Sequence, residues 1–336
     1  MISEAIKKVV EKEDLTFAEA KEVMTEIMEG QATPVQIAGL LTALRMKGET
    51  VTEITAFAQV MREKATKVTP KATVIDTCGT GGDGACTINI STLSALVVAG
   101  AGVAVAKHGN RSVSSRCGSA DLLEHWGVNL ALTPEQLSAC IDEVGIGFLF
   151  APGLHPAMKY AIGPRKELGI RTVFNILGPL TNPAGAKRQV MGIFAPDLVE
   201  KMAGVLAALG SERALVVHGD SLDELTVTGS NLISEVKDGQ VKTYTLTPEE
   251  VGLTKSPLQA LVGGSVAKNA EIAEAVLSGK KGAARDVVLL NAAAALLVAN
   301  KAANFTEGIK LAAEAIDSGA AKAKLNQLVK FTQQFH

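Results

Sequence analysis

Cysteine is scarce and poorly spaced for metal binding or cross-linking. The four present, Cys78, Cys86, Cys117 and Cys140, form no C-x-x-C pair and have no histidine at zinc-finger spacing. In a chain of this length that pattern excludes a disulfide framework and a structural zinc, and it points to a reducing compartment. Cys78 abuts a glycine-rich loop but has no evident base beside it, so it reads as a small buried apolar residue rather than a nucleophile. Long apolar runs are missing as well. The longest, residues 95–106 and 292–299, are far too short to cross a bilayer, and the opening MISEAIKKVVEKED is charged and amphipathic with no signal-type apolar centre. A cytoplasmic protein with no membrane partner is expected. Nor is there a charge excess: 33 Lys and Arg stand against 35 Asp and Glu, a net charge of −2 and a pI near 6.3. No global positive field would attract a nucleic-acid backbone, so no nucleic-acid partner is expected and any anion must be captured locally. Aromatics are few, with one Trp and two Tyr.

What is there is aliphatic. A hydrophobic fraction of 47%, a charged fraction of 20% and a mean hydropathy of +0.23 describe a globular chain. Its 336 residues exceed the size at which one core stops growing, so a large domain with a smaller companion is expected. Residues 1 to about 68 read as helices only. Thr16 with Glu19, Thr33 with Gln36 and Thr50 with Glu53 have capping-box spacing, and Pro34 stands at a first helical position. Each pair opens an apolar stripe (Val23, Ile27, Met28; Ile37, Leu40, Leu41, Leu44; Ile54, Phe57, Met61), which predicts three helices with one face each to bury.

Near residue 72 the pattern changes to short strands alternating with helices. ATVID, GVAVAKHG, IGFLFAPG, QVMGIFA and ALVVHG read as strands, with helices from about Asn89 to Gly100 and over SADLLEHWG, TPEQLSACIDEVG and DLVEKMAGVLAALG. Such alternation implies crossover connections and a mostly parallel sheet. ELTVTG then leads into a hairpin-like region to about Tyr244, followed by Ala-rich helices. Between two of the strand–helix units, HPAMKYAIGPRKELGIRTVFNILGPLTNP has helical patches that Gly163, Pro164, Gly178, Pro179 and Pro183 would break into hinges. The expected division is a helical domain over 1–70 with a returning segment near 163–184, and an α/β domain over 71–162 and 185–336.

In an open parallel sheet, ligands settle at the carboxyl ends of strands. GTGGDG at 79–84 would stand there, its glycines letting successive N–H groups approach an anion ahead of a helix N-terminus. The spacing is neither a Rossmann fingerprint nor a P-loop, and alone the loop could be a tight turn. A second loop, KHGNRSVSSRCGSAD, gathers Lys107, Arg111, Arg116 and several serines at the next strand end. A third, VHGDSLDEL, supplies Asp223 and Glu224, carboxylates suited to a Mg²⁺ that bridges them to phosphate oxygens.

Taken in order, GTGGD at 79–83, NIST at 89–92, KHGNRSVSS at 107–115, GSAD at 118–121, GPR at 163–165, NILGPLTNP at 175–183 and the pair at 223–224 resemble the anthranilate phosphoribosyltransferase family over nearly the whole chain. The resemblance implies a nucleoside-phosphorylase-like α/β fold, with a small all-helical domain plus a large α/β domain and a mostly parallel central sheet, in a homodimer. It implies transfer of the phosphoribosyl group of 5-phosphoribosyl 1-diphosphate to anthranilate, with Mg²⁺ as cofactor and no covalent nucleophile. Carried over position by position, Gly79, Gly82, Asp83, Thr87, Asn89, Ile90, Ser91, Thr92, Lys107, His108, Gly109, Asn110, Arg111, Ser112, Val113, Ser114, Ser115 and Ser119 would bind the donor. Gly79, Asn110 and Arg165 would contact anthranilate, and Ser91, Asp223 and Glu224 would hold the metal. Ser112 stands where the family often has alanine. A nucleoside phosphorylase on the same fold and a non-enzymatic nucleic-acid binder are the alternatives; the first would not need the acidic pair, and the second would show a basic groove.

Overall fold

The structure, a computed structural model, describes residues 1–112 and 116–335. Val113, Ser114 and Ser115 therefore lie outside the described residues.

The chain opens with α1 (Ile2–Val10), α2 (Phe17–Met28), α3 (Pro34–Lys47) and α4 (Val51–Lys64). The capping boxes at Thr16, Thr33 and Thr50 all form: each threonine accepts the N–H three residues on, and Glu19, Gln36 and Glu53 reach back to the cap. Helix α1 is additional to the three predicted. Its Ile2, Ala5 and Val9 recur at helical spacing and are buried, which turns an amphipathic tail into a packed element. Glu53 does more than cap. It is wholly buried and also accepts from Leu15 N (2.9 Å) and from Lys47 Nζ (3.0 Å), so one carboxylate ties together the starts of α2 and α4 and the end of α3.

The second part runs β1 (Ile75–Gly79), α5 (Ile90–Gly100), β2 (Val105–Gly109), α6 (Ser119–His125), α7 (Pro134–Val144), β3 (Ile146–Phe150) and the short α8 (Ala151–Leu154). Next come α9 (Lys159–Leu168), α10 (Phe174–Leu177), β4 (Arg188–Gly192), α11 (Val199–Ala208), β5 (Arg213–Gly219), β6 (Asn231–Lys237) and β7 (Gln240–Leu246), and the chain closes with α12 (Val266–Leu277), α13 (Ala283–Val298), α14 (Phe305–Asp317) and α15 (Ala320–Thr332). Among the described residues the strands form one seven-stranded sheet in the order β3-β2-β1-β4-β5-β6-β7, parallel from β3 to β5 and antiparallel at β6 and β7. The fold is thus an N-terminal helical domain beside a large α/β domain with a mostly parallel sheet.

Residues 224–229 form a turn, pinned by Thr226 N donating to Asn231 Oδ1 (2.7 Å), and the hairpin expected after them begins at Asn231. One expectation needs correction. Gly163 and Pro164 do not break their helix. α9 runs through both, its Ala161 and Pro164 buried where it packs on α2 and α3; burial offsets the roughly 3 kcal/mol that an interior proline costs.

Strands β1, β2 and β3 lead away from the middle of the sheet in one direction, while β4 and β5 lead away in the other. The order reverses between β1 and β4, and the crevice at that reversal, outside the carboxyl ends of the strands, is where open α/β sheets hold ligands.

Candidate active site

The carboxyl ends of β1 and β4 are both glycine, Gly79 paired in register with Gly192. Neither needs an unusual backbone; both need the missing side chain. A Cβ on Gly79 would stand 2.2 Å from Asp223 Oδ2, and one on Gly192 1.7 Å from the Asp223 carbonyl oxygen. The turn after β5 thus lies directly on these strand ends, and the glycines are the floor that admits it.

That turn brings the acidic pair onto the glycine loop. Gly81 N donates to Asp223 Oδ2 (2.6 Å), Asp223 N donates to Asp83 Oδ2 (3.4 Å), and Ser91 N, on the first turn of α5, donates to Glu224 Oε1 (3.2 Å). Asp223 is 8% exposed. Burial, then repulsion from Glu224 and Asp83, raises its carboxyl well above the usual range; burial likewise raises Glu224 to about 7, against the pull of Lys107. The site holds more negative charge than its own cations neutralise.

Lys107, from β2, reaches underneath. Its buried ammonium donates to Thr77 O (2.6 Å) and Ser91 Oγ (3.2 Å), and burial lowers its pKa. All three predicted loops therefore meet on one side of the sheet: the glycine loop touches the acidic turn, the acidic turn touches α5, and α5 touches the lysine. The chemistry of the donor set fits Mg²⁺. Among the described residues no three or more His, Cys, Asp or Glu form a ready-made cage, but Mg²⁺ is ordinarily held by one or two carboxylates plus waters and substrate phosphates, which is what Asp223, Glu224 and the Ser91 hydroxyl leave room for.

The other predicted residues divide into those that face the cleft and those used elsewhere. Gly82 adopts a left-handed φ of +82°, Asp83 Oδ1 accepts from Ala85 N (3.0 Å), and Thr87 pairs with Val262. The side chains of the 89–92 run are largely engaged within the fold. Asn89 donates to Cys117 O (3.0 Å) and accepts from Asn269 Nδ2 (2.9 Å), Ile90 is in the core, and Thr92 is 2% exposed with its hydroxyl turned inward, because α5 packs against the sheet on that face. Arg111 is spent on Glu124 (2.7 and 2.9 Å) and Asp121 (3.0 Å). Asn110 is exposed, its carbonyl accepting from Ser119 Oγ (3.1 Å), and Ser112 N donates to Asp121 (3.2 Å). Gly109 has no room for a Cβ, which would stand 2.5 Å from Ser119 Oγ. Arg165, on α9, lies over the Phe174 ring at 5.1 Å and has no carboxylate partner among the described residues. Cys78 is buried, which pushes its thiol well up and removes it as a nucleophile.

Several contacts beneath the site carry no local sequence signal. Asp76 is wholly buried in β1 and accepts from His108 N (3.1 Å) and Asn182 Nδ2 (2.8 Å). His108 Nε2 lies 3.2 Å from His155 Nε2; burial pushes these imidazoles down to about 3 and about 4, so both are neutral. Asn269 braces Asn89 from α12, and Arg171 donates to the Gly82 carbonyl. Each contact joins residues far apart in sequence, so no single motif window contains both partners.

A reversal-point crevice lined by N–H groups, a buried lysine and an acidic pair, beside a small helical domain, is the arrangement of a transferase acting on a phosphorylated sugar. The two parts of the chain match the glycosyl transferase family, the helical bundle domain over residues 3–65 and the a/b domain over residues 71–322. An anthranilate phosphoribosyltransferase of Moorella thermoacetica is 58% identical over 337 aligned positions, covering 100% of this chain and 99% of that one. The crystal structure of the anthranilate phosphoribosyltransferase of Thermus thermophilus superposes with a TM-score of 0.93 at 50% identity, over 98% of this chain and 99% of that one. That of Saccharomyces cerevisiae in complex with PRPP and Mg does so with a TM-score of 0.90 at 28% identity, over 99% and 98%. The chain belongs to the anthranilate phosphoribosyltransferase family.

Proposed function

We propose that the chain joins the 5-phosphoribosyl group of 5-phosphoribosyl 1-diphosphate to the amine of anthranilate, releasing pyrophosphate, as a step of tryptophan biosynthesis. The observation that carries this reading is the chain of contacts from Gly81 through Asp223 and Glu224 to Ser91 and Lys107, which makes three loops one polyanion site. Cleaving the bond from C1 to pyrophosphate builds positive charge on the ribose and negative charge on the leaving group, so groups that tighten on departing phosphate oxygens lower the barrier. Asp223, Glu224 and Ser91 would hold Mg²⁺, which would supply charge neutralisation on the diphosphate. The N–H groups of Gly82 and Asp83 orient the donor, and Lys107 fixes Ser91 from beneath. Arg165, stacked over Phe174, meets the anthranilate carboxylate bidentately and holds the amine toward C1. That amine is neutral at pH 7, so no base is needed before attack. Gly82, Asp83, Thr87, Asn110 and Ser119 complete the proposed site, with Asn89 acting through position rather than contact. The helical part is read as residues 1–70 with the 163–184 return. A homodimer is read from the exposed Val35, Met46 and Ile162 on that part, and a cytoplasmic location from the cysteine usage.

Anthranilate fluorescence should fall on adding the donor and Mg²⁺, and persist when either is omitted; persistence with all three present would overturn the reading. In Arg165→Ala, KM for anthranilate should rise by about 30-fold, the worth of a charge-assisted pair of roughly 2 kcal/mol, with a much smaller change in donor KM. Equal losses toward both substrates would count against the assigned role.

A further inference from the structure

The glycine loop has little conformational preference of its own. Gly81, Gly82 and Gly84 all sit at positive φ (+70°, +82°, +76°), where glycine is unstrained but also unconstrained, and a Cβ at 81 or 84 would meet nothing. Something outside the loop must select one conformation. Asp223 takes Gly81 N on one side, and on the other Arg171, in the turn between α9 and α10, donates from Nη2 to the Gly82 carbonyl. The same guanidinium lies over the Phe194 ring at 4.3 Å. Phe194 N donates to Thr80 Oγ1 (3.2 Å), and Thr80 N donates to Gly192 O (3.0 Å). These contacts close a circuit from the returning segment through the loop to the end of β4 and back.

An exposed arginine ordinarily keeps its head in water. Arg171 instead stacks on an aromatic ring, where its fork has a fixed plane, and spends a donor on a carbonyl. We infer that Arg171 is a positioning residue: it clasps the Gly82 carbonyl outward, so that the trans peptide turns the following N–H, that of Asp83, the opposite way, toward the diphosphate. The inference rests on the proposed function and adds a coupling between the substrates. Arg171 and Arg165 share one segment: the turn just after Arg171 is held by Thr172 N donating to Asn175 Oδ1 (2.9 Å), and Phe174, inside that turn, lies under Arg165. A donor that settles the glycine loop thereby settles the segment that presents Arg165, and anthranilate binds better once the donor is in place.

The test compares the wild type with Arg171→Gln, Arg171→Lys and Phe194→Leu, by steady-state kinetics with each substrate varied at several levels of the other. Binding of pyrophosphate with Mg²⁺ by calorimetry and melting temperature complete the set. In Arg171→Gln, donor KM should rise and pyrophosphate affinity fall by about tenfold, the scale of one hydrogen bond to a charged group. The apparent KM for anthranilate, which should drop in the wild type as donor is raised, should become independent of it. Arg171→Lys should recover little, because a point charge neither stacks nor holds a plane, and Phe194→Leu should fall between. The inference is overturned if Arg171→Gln keeps wild-type pyrophosphate affinity, if it loses both substrates equally with a lowered melting temperature, or if Arg171→Lys restores everything. Wild-type enzyme that consumes no anthranilate would instead sink the proposed function, while the pyrophosphate titration still reads the clasp.

Discussion

Glu53 in the helical domain and Asp223 at the end of β5 are both buried carboxylates, and they are built in opposite ways. Glu53 is saturated: Leu15 N, Thr50 N, Thr50 Oγ1 and Lys47 Nζ all donate to it, at 2.9, 2.8, 3.1 and 3.0 Å. Asp223 accepts one backbone donor, from Gly81, and faces Asp83 and Glu224. A buried charge with every lone pair matched belongs to the fold. One left short of positive charge, in a crevice, is kept for a ligand that brings it.

The largest test of this contrast is Asp223→Asn with Glu224→Gln. It should lower kcat/KM by about 1,000-fold or more, in line with losing the main electrostatic support for a charged leaving group, and leave the melting temperature unchanged or higher, since it relieves repulsion. Activity within tenfold of wild type would remove the functional half of the comparison. Glu53→Gln should do the reverse. Breaking a buried pair from one side costs about 3 kcal/mol by denaturant unfolding, with Lys47 keeping its bond to Asp14 (2.7 Å) as partial relief, while kcat and both KM values of the folded fraction stay put. A fall in kcat/KM on the scale of the acidic pair would break the distinction.

The smallest effect sharpens a third kind of buried group, the neutral pair His108 and His155. Both are pushed from 6.5 down to about 3 and about 4 by burial, so the unfolded chain takes up protons that the fold refuses. A depressed pKa of this kind leaves stability untouched above pH 6.5 and costs it as pH falls from there toward 4, approaching about 1.4 kcal/mol per pH unit for each histidine. His155→Gln should roughly halve the steepness of that acid-side loss in urea unfolding measured from pH 7 to pH 5; an unchanged slope would show that other groups govern it.

Much of this molecule could be read before its coordinates. Capping boxes declare themselves within four residues, and the strand–loop–helix alternation around 75–110 announces both the sheet class and the strand ends where the glycine loop and the acidic turn meet. Misreadings came where local signals conflict with distant partners. Pro164 looks like a break, but the neighbours that bury it are α2 and α3. Asn89 and Thr92 look like free donors, but Asn269 and the core behind α5 claim them. The brace of Asp76 by Asn182, 106 positions later, and the clasp of Gly82 by Arg171 leave no trace in any short window. Composition and periodicity see which residues an element offers, not which will be taken.

The abutting glycines at 79 and 192 have an effect on what this protein can become. Here a single added methyl on either strand would wedge the acidic turn off its seat, so the placement of Asp223 is written into the thickness of the sheet itself. Any lineage or design programme that refines the reaction must do so from the loops above, because the ground beneath them admits no adjustment.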